Sequence, residues 1–571
     1  MKKKYSILGI EYGGHDTSAA LLIDGKIISC CEQERFDLKK HSRAFPSQAI
    51  NECLKIGGMS IDDIDEISVG CDFVDMIRKV YLKPAIKDIS RLGFMIKDIK
   101  RIESYLKIEK LIRKKTTFKK KINFFRHHLC HLASSYYPSG FKNALLVSYD
   151  GMGEIETGMI AKGVNGKIEI LQDKVYYPNS LGLIYSAITY FLGWKHHCDE
   201  GIIMGLAPFG DYDSLVPGQK KTYLEIFKEI IIPKDEKDYE INLAYIEYHK
   251  KRDVWVSKKF KKIFGNVRKY NDPLNAHHKN IAAALQKAVE DIVLCQLSYF
   301  RKKTKLNKLC ISGGVGLNCS LNGKISESNL FDEIFVQPAS GDAGISLGST
   351  LLAEKKRMRK LKPKKNHNFY SGSRFSNNEI KDTLKKNQIL FKKPINLTKQ
   401  VAEYLYAGKI ISWFQGSAEF GPRALGNRSI LSRPFPESQR DFINQRVKFR
   451  EEFRPFAPAV LDEYKKKYFI IDQESPHMLI ACKVKPNKKS EIPAVVHIDD
   501  TCRVQTVKKI NNELFYNLLK EFYEISGCPV LLNTSFNVKG KPIVNTPQQA
   551  IDCFKSTKID ILVVGSYILK K

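Results

Sequence analysis

The chain has 571 residues, 43% of them hydrophobic and 27% charged, a composition that fits a globular protein of two to four domains and excludes a disordered or fibrous one. Its formal charge of +32, from 94 basic and 62 acidic residues, fits phosphorylated substrates, nucleic acid or an anionic membrane, but lysines spread along the whole chain supply most of it and read as solvated surface. Thirteen cysteines without a C-x-x-C pair exclude a zinc ribbon and a thioredoxin-type site, and no apolar run approaches the ~20 residues of a membrane helix, so a soluble cytoplasmic protein with reduced thiols and no membrane span is expected.

Residues 5–31 read as a strand, a turn and a second strand that doubles back at Asp24-Gly25, a two-residue hairpin signal between β-prone runs. The apolar stretch after Lys4 is broken at Glu11, too early for a signal peptide. The turn Gly13-Gly14-His15-Asp16-Thr17-Ser18 suits a nucleotide's phosphates, and His15 or Asp16 could take a proton from an attacking hydroxyl; an Asx-type turn explains the same residues. From about 47 to 122 the pattern is helical and basic, with SRLGFMIKDIKRIESYLKIEKLIRK its longest amphipathic stretch, whose apolar residues are expected to form a buried face rather than a membrane anchor.

His127 and His131 in RHHLCHLASSYY lie four apart, on one face of a helix. Asp150, closing the strand ALLVSYDG, and Asp342, in the turn SGDAG, would add two carboxylates, and the set suits iron, manganese or zinc with room for a substrate oxygen. His128 is an alternative to His127. A helix over 277–302 leads into the strand KLCISGG, where Ser312-Gly313-Gly314 precedes another helix; that turn suits phosphate but lacks a P-loop lysine, and tight packing explains it equally. Alternating strands and helices make the protein α/β. The basic run AEKKRMRKLKPKKN reads as a linker, which divides the chain into domains 1–365 and 366–571.

Trp413 to Val460 sets seven arginines and a lysine among glycines, prolines and small residues. Guanidinium forks match phosphate oxygens bidentately, so Arg423, Arg428, Arg446, Lys448, Arg450 and Arg454 predict a site for a doubly charged oxyanion, with a solvated basic surface as the alternative. Asn533, Ser535 and Asn537 in CPVLLNTSFNVKGKP, with Arg503 in DDTCRVQTV, could complete that pocket, although a capped loop accounts for them as well.

In combination, GGHDTSAALLIDGKI, EQERFDLKKHS, HHLCHLASSYYPSGF, DEGIIMGLAPFG, SGGVGLNC, QPASGDAG, EFGPRALGNRSIL, FREEFRPFAPAV and LNTSFNVKGKPIV resemble, in order, the blocks of the NodU/CmcH-type carbamoyltransferase family. The resemblance implies an actin-like (ribonuclease H-like) ATPase-type N-terminal domain and a YrdC-like α/β C-terminal domain. It implies that carbamoyl phosphate and ATP (with Mg) form carbamoyladenylate in the second domain, and that the first passes the carbamoyl group to a hydroxyl. By motif, Fe(2+) or a similar divalent metal would rest on His127, His131, Asp150 and Asp342; Lys40, Gly314 and Asn318 would contact the adenylate; His15, with Asp16 after it, would lie beside the acceptor. Arg423, Lys448, Arg454, Arg503, Asn533 and Ser535 would hold carbamoyl phosphate and ATP. Asp500 departs from the family pattern, which has glycine there. A small-molecule or glycan hydroxyl is the expected acceptor, chosen by the regions 73–125 and 211–275; nucleic acid is not expected, and a homodimer is compatible. The alternatives are a tRNA threonylcarbamoyl-type transferase and a non-transferring ATP-binding regulator of the actin-like fold.

Overall fold

Strands β1 (Ser6–Glu11), β2 (Ser18–Ile23), β3 (Lys26–Glu32), β4 (Glu66–Val69) and β5 (Lys121–Phe124) form a sheet in the order β3-β2-β1-β4-β5. Every residue of β1 is buried, as expected of a strand covered on both faces, and β1, β4 and β5 run parallel. Asp24 and Gly25 carry the left-handed φ values, 47° and 74°, that a two-residue hairpin demands. A computed structural model describes residues 4–82, 86, 95, 96, 98–173, 175–251, 253–358, 361–366 and 369–571.

A second sheet repeats this order. β6 (Asn143–Tyr149), β7 (Gly158–Val164) and β8 (Lys167–Gln172) form an antiparallel meander, and after a small hairpin of β9 (Ile231–Pro233) and β10 (Tyr239–Ile241) come β11 (Lys308–Ser312) and β12 (Glu333–Val336), parallel to β6. The resulting order, β8-β7-β6-β11-β12, matches β3-β2-β1-β4-β5 strand for strand. The helices His127–Ser139 and Ile345–Arg357 pack closely because Gly348 lacks a side chain: a Cβ there would lie 2.0 Å from the Cys130 carbonyl oxygen. The expected linker run is therefore helical as far as Arg357, and the Lys364 amide is bonded to the Tyr137 carbonyl at 2.8 Å.

The expected amphipathic stretch, residues 90–114, follows the short helices Phe73–Met76 and Ile77–Leu82 and, where described, falls on two more, Ile99–Leu106 and Ile108–Thr116; part of it lies outside the described residues. The single buried face is a correction: Tyr105, Ile108 and Ile112 point inward, whereas Ile96, Ile99 and Leu106 are exposed. A helix of only two turns, Ile99–Leu106, cannot bury both sides of its circumference against one neighbour.

The chain divides into two compact units, Met1–His15, Ala19–Ile27 and Met59–Lys365 in one, and Asp16–Ser18, Ile28–Gly58 and Asn366–Lys571 in the other. The division at Lys365 thus comes with an exchange: residues 28–58 count with the second unit. The reason is a buried ion pair. Arg35 Nε donates to Glu32 at 2.7 Å, Glu32 accepts from the Gly421 amide at 3.0 Å, and Arg35 Nη2 donates to the Gly421 carbonyl at 2.6 Å, all within that unit.

The second unit is built on a seven-stranded mixed sheet of β13 (Ile411–Phe414), β14 (Arg428–Ser432), β15 (Ala457–Leu461), β18 (Gln505–Val507), β19 (Val530–Ser535), β20 (Ile561–Val564) and β21 (Tyr567–Lys570), in the order β18-β15-β19-β14-β13-β20-β21. A separate pair, β16 (Ala481–Lys483) and β17 (Thr501–Arg503), runs antiparallel. Trp413, Leu431, Val460, Leu531 and Val563 are among the residues of one continuous core. Among the described residues no helix is long and apolar enough to cross a membrane.

Candidate metal centre and cation cluster

In the first unit His127 and His131 lie one turn apart on the helix that β5 enters, and their Nε2 atoms are 3.1 Å apart. Asp150, at the end of β6, places Oδ2 at 3.1 Å from His127 Nε2 and 3.3 Å from His131 Nε2. Asp342 Oδ1 is 3.7 Å from both nitrogens, and the four donor atoms lie within 4.8 Å of one another. Two imidazole nitrogens and two carboxylate oxygens at this spacing fit a divalent first-row metal, whose ligands stand at roughly 2.0–2.2 Å. Burial opposes charge on His131, but Asp150 and Asp342 prevail and push it up to about 9; burial opposes charge on Asp150 too, yet the two imidazoles hold its carboxyl well below the ordinary carboxylate range. The carboxylates therefore create a field that favours positive charge at this point.

The surroundings fix the donors. The Gly314 amide donates to Asp150 Oδ1 at 3.0 Å and leaves Oδ2 facing the imidazoles. Gly313 is left-handed, at φ 84°, and a Cβ on it would lie 2.2 Å from the Tyr149 carbonyl. The phosphate-type turn expected at 312–314 thus positions a carboxylate. His128, the alternative to His127, is excluded as a ligand: its Nδ1 faces Ser148 Oγ and its Nε2 the Glu156 carbonyl, each at 2.9 Å, and burial followed by the neighbouring imidazoles lowers it to about 3. Glu154, which sequence reasoning missed, is buried and accepts the His127 amide at 2.9 Å and the Asp72 amide at 2.8 Å. A carboxylate at a helix N-terminus is electrostatically favoured, but nothing in GMGEIE marks this one.

His15 is half-exposed, with Nδ1 3.9 Å from Asp342 Oδ2 and its ring 5.8 Å from that of His197. Asn318 caps the helix Cys319–Glu327 and exchanges amide hydrogen bonds with Gln286. Asp16 and Lys40 belong to the second unit, where Asp16 Oδ1 meets His41 Nδ1 at 2.7 Å and Lys40 is exposed.

The second unit gathers cations where β19 ends beside β14 and β15. Lys448 is buried; its Nζ donates to the Ser535 carbonyl, to Asn537 Oδ1 at 2.8 Å and to the Asn537 carbonyl at 3.1 Å. Burial, then Arg450 and Arg454, push the Lys448 ammonium well below its usual range, and burial with Arg454 and Arg503 does the same to Arg450. Lys448, Arg450, Arg454 and Arg503 repel one another, with Glu451 3.5 Å from Arg454 as a partial counter-charge, and such crowding makes this a candidate anion site. Arg503 Nε and Asn533 Oδ1 are buried there without a hydrogen-bond partner, atoms that a ligand could satisfy. Ser535 Oγ bonds Asn537 at 2.7 Å.

Two of the arginines singled out from the sequence do other things. Arg428 is fully buried and donates to the carbonyls of Gln415, Asn427, Ser373 and Gly416, over the Phe414 ring; burial brings it down to about 9. It crosslinks the fold and is not a phosphate fork. Arg446 is exposed over the Phe442 ring. Arg423 stands half-buried in the loop between β13 and β14, which is organised by Glu419: its Oε1 accepts the amides of Leu425, Asn427 and Arg428 at 2.8–3.0 Å. Asp500 adopts φ 64°, the left-handed backbone for which glycine, the family residue, has no penalty.

The protein is thus a two-unit α/β protein with a four-donor imidazole and carboxylate cluster in one unit and crowded cations round a strand end in the other. The chain belongs to the carbamoyltransferase family: residues 6–351 match the carbamoyltransferase N-terminus and residues 402–571 the carbamoyltransferase C-terminus. It is 35% identical to an uncharacterized protein of Synechocystis sp. over 99% of this chain and 96% of that one, and 34% identical to the nodulation protein NolNO of Sinorhizobium fredii over 98% and 79%. It is also 36% identical to the 3'-hydroxymethylcephem-O-carbamoyltransferase of Streptomyces clavuligerus, over 45% of this chain and 47% of that protein.

Proposed function

We propose that the protein is an O-carbamoyltransferase that makes carbamoyladenylate from carbamoyl phosphate and ATP in its second, YrdC-like unit and passes the carbamoyl group to a hydroxyl in its first, actin-like unit. The observation that carries this reading is the pairing, in one chain of this family, of the four-donor cluster flanked by His15 with the cation group around Arg503 and Asn533. Lys448, Arg454 and Arg503 would bind the phosphates of both co-substrates, with Arg423 closing from its loop and Asn533 and Ser535 orienting the carbamoyl amide. Neutralised phosphates are better leaving groups, which is what loss of phosphate from carbamoyl phosphate and of pyrophosphate from ATP requires.

In the first unit His127, His131, Asp150 and Asp342 would hold Fe(2+) or a similar divalent ion, which when bound polarises the carbamoyl oxygen and lowers the pKa of an acceptor hydroxyl. His15 takes the hydroxyl proton as the new C–O bond forms and the carbamoyl–phosphate bond breaks, releasing AMP. Gly314 is assigned to the adenylate, with Asn318 as the cap that steadies the helix after it. The acceptor is a small-molecule or glycan hydroxyl; a small-molecule hydroxymethyl group is what the name of the cephem relative specifies.

Incubation of the protein with carbamoyl phosphate, ATP and Mg is the test. Pyrophosphate release without RNA, and only with carbamoyl phosphate present, supports the reading. An inert mixture refutes it, and a strict requirement for RNA would move the assignment to a tRNA-modifying transferase.

A further inference from the structure

Residues 73–121 hold 16 basic and 5 acidic side chains, a net charge of +11 in 49 residues. The same segment exposes bulky aliphatic groups: Ile86 is 82%, Ile99 60% and Leu106 64% exposed, and Val74, Leu82 and Ile96 are exposed as well. Ile99 and Leu106 are seven apart, two turns along one face of the helix Ile99–Leu106. Lys100 and Lys107 are exposed beside them in sequence, Lys107 paired with Glu103 on the same helix, and Lys110, Lys114 and Lys115 are exposed on the next helix, Ile108–Thr116. The inner side is anchored: Tyr105 is buried, its ring is 5.0 Å from that of Phe73, and its hydroxyl reaches the Gly13 carbonyl at 3.4 Å. A Cβ on Gly13 would lie 2.7 Å from the Phe73 ring, so the turn that carries His15 rests directly beneath this segment.

We infer that the described part of this segment, above all the helices Ile99–Leu106 and Ile108–Thr116, docks on an anionic lipid bilayer. Exposed aliphatic side chains with lysines around them are the makeup of a helix lying in the headgroup region, where apolar groups enter the acyl boundary and ammonium groups meet lipid phosphates. Charge complementarity selects an acidic partner, and the aliphatic groups select lipid over nucleic acid. The described aromatics Phe73, Tyr81, Tyr105 and Phe118 are all buried, so bases would have no ring on which to stack. The exposed groups come from separate short helices and not from one continuous groove, which suits a planar surface better than a single peptide helix. The docking is independent of the carbamoyl-transfer reading. Its consequence rests on that reading: an acceptor hydroxyl presented at a membrane surface would meet the His15 turn from the docked side.

The test is sedimentation of the full-length protein with vesicles of phosphatidylcholine alone and of phosphatidylcholine with phosphatidylglycerol. The protein is expected to sediment with the phosphatidylglycerol vesicles and not with the neutral ones, and added salt should release it. The double variant Ile99→Glu/Leu106→Glu is expected to bind about tenfold more weakly or worse with an unchanged melting temperature, because both side chains are already in water; Lys114→Glu/Lys115→Glu should weaken binding likewise. No sedimentation with phosphatidylglycerol vesicles, or full binding by the Ile99/Leu106 variant, would overturn the inference. So would a dimer in solution that the same variant splits, since the face would then meet a second copy. Absence of pyrophosphate release would count against the carbamoyl-transfer reading and leave the docking standing.

Discussion

Arg503 and Arg428 are both arginines near one sheet end, and their surroundings assign them opposite fates. Arg503 belongs to a group of cations that repel one another, so Arg503→Ala should leave the melting temperature unchanged or raise it, while kcat/KM for ATP falls about a hundredfold. Arg428 donates to four carbonyls and has the Glu419 charge nearby, and Arg428→Met takes the guanidinium away from the buried Gln415 and Gly416 carbonyls, while those of Asn427 and Ser373 keep the amides of Gln415 and Ala418. The expected loss is about 2–4 kcal/mol in denaturant unfolding. If the candidate centre holds a divalent metal as proposed, His131→Ala should reduce it from about one per chain to near none by elemental analysis. The acidic limit has a residue-scale term of its own. Burial raises Asp499, but His497 and the Thr501 hydroxyl and amide prevail and bring it down to about 2. A carboxyl depressed on folding stabilises above its unfolded pKa of ~3.9 and loses that contribution as pH falls through about 2. Acid unfolding of Asp499→Asn should therefore be flatter between about pH 4 and 2 than that of the unsubstituted protein.

At the scale of elements, the sequence shows spacing but not approach. The interval of four between His127 and His131 fixes a shared helix face, and the strand-ending Asp150 is legible because ALLVSY can only be a buried strand. The arrival of Asp342 depends on the helix Ile345–Arg357 pressing against His127–Ser139 at Gly348, a long-range contact that leaves no local periodicity. Gly348→Ala is expected to push the helices apart, lower stability by about 1–3 kcal/mol and weaken metal binding, measured by thermal unfolding with and without metal. The arginine block was legible as charge, yet which arginine faces a ligand is decided by where Glu419 folds the loop, and a single glutamate carries no signature. The amphipathic reading of 90–114 misjudged which apolar side chains turn inward because hydrophobic periodicity marks a face without saying what covers it.

For the whole molecule, alternation of strands and helices was enough for the α/β class. What could not be read is the exchange of residues 28–58 into the second unit, since the partners Glu32, Arg35 and Gly421 are far apart in sequence and each is ordinary alone. That exchange has a consequence for biogenesis. A ribosome releases residues 28–58 more than three hundred residues before it reaches Asn366, a wait of roughly fifteen seconds to a minute at ~5–20 residues per second. During that interval the early segment has none of its later partners, so the nascent chain must keep a buried-type Arg35 and Glu32 hydrated until synthesis is nearly over, and maturation cannot proceed strictly from the amino terminus onward.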